Sequence, residues 1–227
     1  MIYKEQDLIK ALEASFKAYK EYGARSTKKL KPIHKFIADT LGKIWGKSFE
    51  IRYLGENINE ATIEGKYYPK DIDITVLDGE KPVFCLGIKF VTSNYKQNAN
   101  NYFENMMGET ANIQAVGNLP YAQLLILRHE TPYYQKNETE IPSKIELINN
   151  KDISKYLKLY FDVPQAHRPN YIGILLINVD EKTGKVSLTD LEKYFSKETA
   201  NLLSKTLSVK TFFENIYNYK DYYILQG

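Results

Sequence analysis

The sequence predicts an α/β protein, a mixed β-sheet flanked by helices, and three observations carry that prediction. Two amphipathic helical stretches open the chain, a run of extended segments with a tight hairpin follows, and apolar strands then alternate with helical spacing. With 227 residues, of which 43% are apolar and 26% charged, there is material for one core with additions, so a single domain over 1–227 is expected.

The first helix is read over 6–22, where Leu8, Leu12, Phe16 and Tyr19 share a face. The second is read over 32–45, with Ile33, Phe36, Ile37, Leu41 and Ile44 on one side and Pro32 suited to the first turn. Extended segments follow in "SFEIRYLG" and "EATIEGKYY". The stretch "KYYPKDIDITVLDGEKPVFCLGIKF" then reads as two strands joined at Asp78-Gly79, a strong hairpin signal. Past Lys89 the spacing of Tyr102, Met106 and Ile113 becomes helical and ends near Gly117. A buried strand over 122–129 comes next, then a long polar excursion over 130–150, a helix over 153–161 and the strand "YIGILLINV". A C-terminal helical pair through "SLTDLEKYF" and "SVKTFFENIYNY" completes the order.

Composition narrows the function classes. The lone Cys85 excludes an internal disulfide framework and fits a reducing compartment. No stretch approaches the roughly 20 apolar residues of a membrane span, and the amphipathic N-terminus carries acidic residues unlike a signal peptide. A soluble, cytoplasmic protein with no membrane partner is therefore expected. The net charge of +3 permits a nucleic-acid partner without demanding one, and the 19 tyrosines suit a core edge, an interface or a stacked base equally. His34, His129 and His167 show no zinc-ligand spacing. The absence of a Gly-rich phosphate loop or nucleophile elbow leaves a nucleotide cofactor and acyl transfer without support. "NET" at Asn137 matches a glycosylation acceptor, which would be idle in a cytoplasmic protein.

The hairpin carries the chemistry. Alternation along a strand sets Asp71 and Asp73 on one face and Ile72, Ile74 and Val76 on the other, while Cys85, Gly87, Lys89 and Val91 share a face of the partner strand. Two carboxylates beside a lysine suit phosphodiester hydrolysis: hard oxygens hold Mg²⁺, and the ammonium positions water and offsets phosphate charge. The plainer reading is a solvent-facing strand edge with acids near a turn and an edge-guarding lysine. The apolar residues around Lys89 point instead to its burial beside a carboxylate.

An aspartate at a strand's start, a turn, then a strand ending in a carboxylate, any residue and lysine is the signature of the PD-(D/E)XK nuclease superfamily. "DIDITV…LGIKF" resembles it, with Gly87 in place of the second acid. The helix-strand-strand-strand-helix-strand order is similar to that superfamily's core, here spanning about 32–129, with additions at 1–31 and 130–227. The resemblance implies a restriction-endonuclease-like fold and an Mg²⁺-dependent endonuclease of the type II restriction kind. Its partner would be double-stranded DNA and its working form a homodimer, one site per strand. Asp73 and Asp71 are the motif aspartates and metal ligands, and Lys89 is the water-positioning residue.

Three readings of Gly87 compete. The second carboxylate can lie on the following helix, as in some restriction enzymes, where Glu104 shares a face with Asn101, Gly108 and Ala111, and Glu109 interrupts the apolar stripe. Asp71 and Asp73 can together replace it. Or the chain is an inactivated variant or a non-catalytic relative. Glu104 is preferred as third metal ligand, with Glu109 a further catalytic candidate. For DNA contact the candidates are Asn94, Asn98 and Asn101 in "SNYKQNANNY" and the basic run "GARSTKKLKPIHK" with Lys28, Lys29 and Lys31. Helix capping by Ser93 or Asn94 and plain solvation of the charges are the simpler readings of those stretches. The rival functions are a non-catalytic DNA-binding module on the nuclease scaffold and a structure-selective repair or junction nuclease.

Overall fold

The structure is a computed structural model that describes residues 2–23, 26–117, 119–135 and 141–226; Arg25 of the basic run and the Asn137 sequon lie outside the described residues. Helix α1 (Glu5–Tyr22) and helix α2 (Lys31–Trp45) come first, Leu8, Leu12 and Phe16 of the former and Ile33, Ile37, Leu41 and Trp45 of the latter being buried. Pro32 stands in the first turn of α2, where its missing N–H leaves no intrahelical bond unmade. Strands β1 (Phe49–Tyr53), β2 (Ala61–Ile63), β3 (Lys70–Ile72), β4 (Ile74–Asp78) and β5 (Lys81–Val91) follow, then helix α3 (Tyr95–Gln114) and strand β6 (Tyr121–Arg128).

The polar excursion contains a short hairpin, β7 (Glu130–Tyr133) paired with β8 (Lys144–Leu147). It leads to α4 (Asn150–Phe161), whose N-terminus carries a reciprocal capping box between Asn149 and Asp152, and to β9 (Tyr171–Val179). "SLTDLEKYF" is not a single helix. Val186–Leu188 form an edge strand, β10, and only Leu191–Tyr194 turn helical as α5, capped by Asp190. Helices α6 (Lys197–Leu202) and α7 (Val209–Gln226) close the chain.

Six strands form one mixed sheet in the order β1-β4-β5-β6-β9-β10. The β1-β4, β4-β5 and β9-β10 pairs are antiparallel; β5-β6 and β6-β9 are parallel, so α3 is the crossover between β5 and β6. The β4-β5 turn is Gly79-Glu80, one residue later than Asp78-Gly79. Gly79 has φ 61°, the left-handed backbone that primed hairpin turns require at their first central position.

Each face of the sheet is covered. On one, α1, α2 and α7 pack Leu12, Ile37, Trp45 and Phe212 against Ile74, Val76, Phe84, Leu86, Ile88 and Phe90 in one apolar cluster, each large buried side chain contributing about 1.5–3 kcal/mol. Tyr171, Tyr219 and Tyr223 edge this cluster around Trp45 and Phe84, which assigns those tyrosines to the core rim. On the other face the lining is split. Val91, Tyr95, Met106, Leu125 and Leu127 belong to a cluster under α3 and α4, whereas Ile63, Ile72, Cys85, Ile113 and Tyr121 form a separate small one. Among the described residues no helix is long and apolar enough to cross a membrane.

Candidate active site and metal cluster

The split in the lining falls where β5 and β6 present Gly87, Lys89 and Gln123. Along β5 the residues on that face run Cys85, Gly87, Lys89, Val91, and along β6 they run Tyr121, Gln123, Leu125, with Gly87 beside Gln123 in the parallel register. A hollow of about 240 Å³ opens there, and Lys70, Asp71, Asp73, Lys89, Glu109 and Gln123 all line it.

Asp73 is placed by a break in the strand. β3 pairs with β2, and β4 pairs with β1 and β5, so the chain bends at Asp73 between the two ribbons. The expected alternation fails at that bend: Ile72 joins the small cluster with Cys85, while Ile74 and Val76 join the large one on the opposite face. The Asp73 carboxylate turns inward and accepts a 2.6 Å hydrogen bond from the Ile88 amide. Burial pushes its pKa up to about 6; the Ile88 bond opposes the shift, the charges of Glu60 and Glu109 add to it, and Lys70 pulls it back. Glu60 is also raised, by burial first and Asp71 second, against the pull of Lys70. Burial is the larger cause of the rise at both carboxylates, and the charges of neighbouring acids come second.

Asp71 is exposed and its carboxylate accepts a 2.5 Å bond from the Thr62 hydroxyl across the β2-β3 ribbon, so it rims the hollow while Asp73 is its inner wall. Lys89 is exposed, contrary to the burial expected for it, and its ammonium stands 4.8 Å from the centre of the Tyr102 ring. The lysine that pairs with a carboxylate here is Lys70, 3.0 Å from Glu109. Burial works against the Lys70 ammonium, but the bond and charge of Glu109 outweigh it and hold its pKa above the ordinary value.

The two helix-borne glutamates part company. Glu109 points into the hollow and faces the Tyr121 hydroxyl. Glu104, the preferred third ligand, is exposed on α3, where its charge is felt by Lys155 and not by Asp73. Roughly 500° of helical rotation separates positions five apart, so only one of the two can face the sheet.

Gly87 is fitted to its neighbours. A Cβ there would lie 2.6 Å from the Gln123 amide nitrogen and 2.7 Å from the Tyr121 hydroxyl, so any side chain at 87 would have to displace both. Gln123 is 4% exposed, and its Nε2 has no hydrogen-bond partner, a donor aimed at the space beside Gly87.

The candidate DNA contacts divide. Lys29 is half-buried and its pKa is lowered, by burial first and by Lys89 second, so it brings a second positive charge to the Lys89 side of the site. Lys28 is exposed over the Tyr22 ring at 3.8 Å, and Lys31 begins α2. Asn94 is the N-cap residue of α3 but makes no side-chain cap bond. With φ 51° it clamps Tyr134 instead, donating to its carbonyl and accepting from its amide, both at 2.9 Å. Asn98 donates to the Asn94 carbonyl, leaving Asn101 the exposed amide of the three.

One further cluster was not visible in the residue spacing. His34 of α2, Glu60 before β2 and Asp73 bring one nitrogen and two carboxylate oxygens within 4.8 Å of one another. His34 is 0% exposed, and burial lowers its pKa to about 4, so the ring is neutral with a lone pair to give. A search for local ligand spacing misses it because helix, loop and strand converge only through tertiary packing. For Gln123 the legible signal was a lone amide inside a buried strand, whereas Glu60 and Lys70 gave none.

No protein-family model matches this chain, and neither the curated proteins nor the solved structures contain a significant match to it.

Proposed function

We propose that this chain is a divalent-metal-dependent endonuclease that hydrolyses phosphodiester bonds in double-stranded DNA, a type II restriction-like enzyme working as a homodimer. The observation that carries the reading is the meeting of Asp73, Glu109 and Lys89 in one hollow on a mixed sheet. The order of an antiparallel β1-β4-β5 unit, crossover helix and parallel β6 supports a restriction-endonuclease-like core. Glu109 takes the part expected of Glu104, and Gly87 is accommodated without an acid of its own.

The donor set fits Mg²⁺, since the carboxylates of Asp73 and Glu109 are hard oxygens that line one hollow. A bound Mg²⁺ would supply Lewis acidity toward the phosphate and a more acidic water. The chain's own groups do the rest. Lys89, steadied by Tyr102, holds a non-bridging phosphate oxygen and orients the water for in-line attack, so that a new P–O bond forms as the bond to the leaving oxygen breaks. Gln123 donates from its unpaired amide toward charge developing beside Gly87. Lys29 adds phosphate attraction at the rim.

The test is digestion of plasmid and unmodified genomic DNA with Mg²⁺ or Mn²⁺, read as discrete bands, by wild-type protein and Lys89→Ala. Lys89 is exposed, so its loss should change stability by less than about 0.5 kcal/mol while cutting falls at least roughly 100-fold. Equal cutting by both proteins removes the site assignment. The pairing of Glu109 with Lys70 favours one rival, a non-catalytic DNA-binding module, because it occupies a carboxylate the metal would need. Salt-dependent duplex binding with DNA left intact at every metal concentration would select that reading.

A further inference from the structure

His34 sits on the buried side of α2 with no exposed surface, and neither ring nitrogen has a hydrogen-bond partner. Buried polar groups are nearly always paired, and leaving one unpaired costs about 1–3 kcal/mol. The groups that face this imidazole are carboxylates, Glu60 from the segment before β2 and Asp73 from the bend between β3 and β4, with the three donor atoms within 4.8 Å of one another. Two carboxylates and an imidazole lone pair are all acceptors. Such a convergence is the donor set of a cation site.

The spacing is within reach of one: ligands bound at roughly 2.1 Å lie about 3 Å apart when adjacent and about 4.2 Å apart when opposite, so side-chain rotations that draw the donors inward by up to about 2 Å complete the grip. Two of the three ligands line open space: Asp73 the hollow shared with Lys89, and Glu60 a second hollow of about 610 Å³. The three ligands come from a helix buried in the core, a connecting segment and a strand end, so their relative positions are fixed by the packing of α2 on the sheet. An all-oxygen set suits Mg²⁺; an imidazole nitrogen shifts preference toward first-row transition ions, while two carboxylates neutralise the divalent charge.

We infer that His34, Glu60 and Asp73 form a three-ligand site for a first-row divalent transition ion. The site does not depend on DNA cleavage, and it leaves coordination positions for water. Asp73 is common to this set and to the hollow lined by Glu109 and Lys89, so the ion would sit at the inner end of that hollow.

Mn²⁺ is the probe, added to the metal-stripped full-length protein and followed by calorimetry and pulsed EPR in the absence of DNA. Wild-type protein should bind one Mn²⁺ per chain at least tenfold more tightly than Mg²⁺, with a ¹⁴N coupling from one directly bound imidazole. Glu60→Gln should weaken Mn²⁺ at least tenfold, and His34→Gln should abolish the ¹⁴N coupling. Bound Mn²⁺ without a coordinated nitrogen, or unchanged Mn²⁺ affinity in Glu60→Gln, would overturn the site. So would no Mn²⁺ binding at all, which would leave a bridging water as the occupant. If His34→Gln does not fold, the wild-type spectrum and Glu60→Gln still decide. Failure of cleavage with these metal results intact would remove the nuclease reading and leave the ion site standing.

Discussion

On one face of the central sheet α1, α2 and α7 lay down a single apolar cluster, whereas on the other the lining breaks between Cys85 and Val91, and the break holds Gly87, Lys89, Gln123 and the inward carboxylate of Asp73. The unbroken face is where burial accumulates stability. The broken face is where the Gln123 amide nitrogen is left unpaired and burial raises the pKa of Asp73. The contrast teaches that a site in this fold is a defect in a packed surface, kept in place by the completeness of the surface behind it.

The largest test of that contrast lies on the unbroken side. Phe212 is fully buried beneath α7, and Phe212→Ala should cost about 3–5 kcal/mol, measured by chemical denaturation. Substitution within the hollow should have the opposite sign. The folded Asp73 carboxyl has a pKa of about 6 against an ordinary 3.8, so the fold favours its protonated form. That contribution is full below the ordinary value and is lost as pH rises through about 6. Asp73→Asn should therefore stabilise the metal-free protein by roughly 2 kcal/mol at pH 8, allowing for partial solvent access, and by roughly half as much at pH 5. The same change should remove any rise in melting temperature that Mg²⁺ gives the wild-type protein. A stabilisation equal at both pH values would show that the carboxylate is not under strain. The smallest effect is expected at Glu104, outside the hollow: Glu104→Gln should leave cleavage within about twofold and stability within about 0.5 kcal/mol.

What was legible in the residues tracks how local the cause is. The helices expected over 6–22 and 32–45 occur as Glu5–Tyr22 and Lys31–Trp45, because apolar periodicity and Pro32 act within a turn or two. The β7-β8 hairpin was not legible, since "ETPY" and "KIEL" are short and polar and pair only with each other. At the site, Asp73 and Lys89 were legible because a single hairpin joins them. Asp71 and Asp73 were placed on one face, with Asp73 the first choice as ligand and Asp71 the second, because strict alternation was assumed through a residue at which the strand bends. Choosing Glu109 over Glu104 required weighing the apolar stripe of α3 above the roominess of the opposite side: a carboxylate set into that stripe is drawn toward the sheet along with Met106 and Thr110. His34, Glu60, Lys70 and Gln123 come together only after β5 pairs with β6 and α2 packs beneath, so no window of sequence contains them.

The hydrogen bond from the Ile88 amide gives Asp73 a second employment, as the cap that ends the β4-β5 ladder. Wherever that bond alone matters, the position needs only an acceptor of that length, and asparagine supplies one without the buried charge. Retention of an acid at this position in distant kin would therefore mark a use for the charge itself. Glu109 is held differently, by its ion pair with Lys70, so its loss in such kin is expected only together with that lysine.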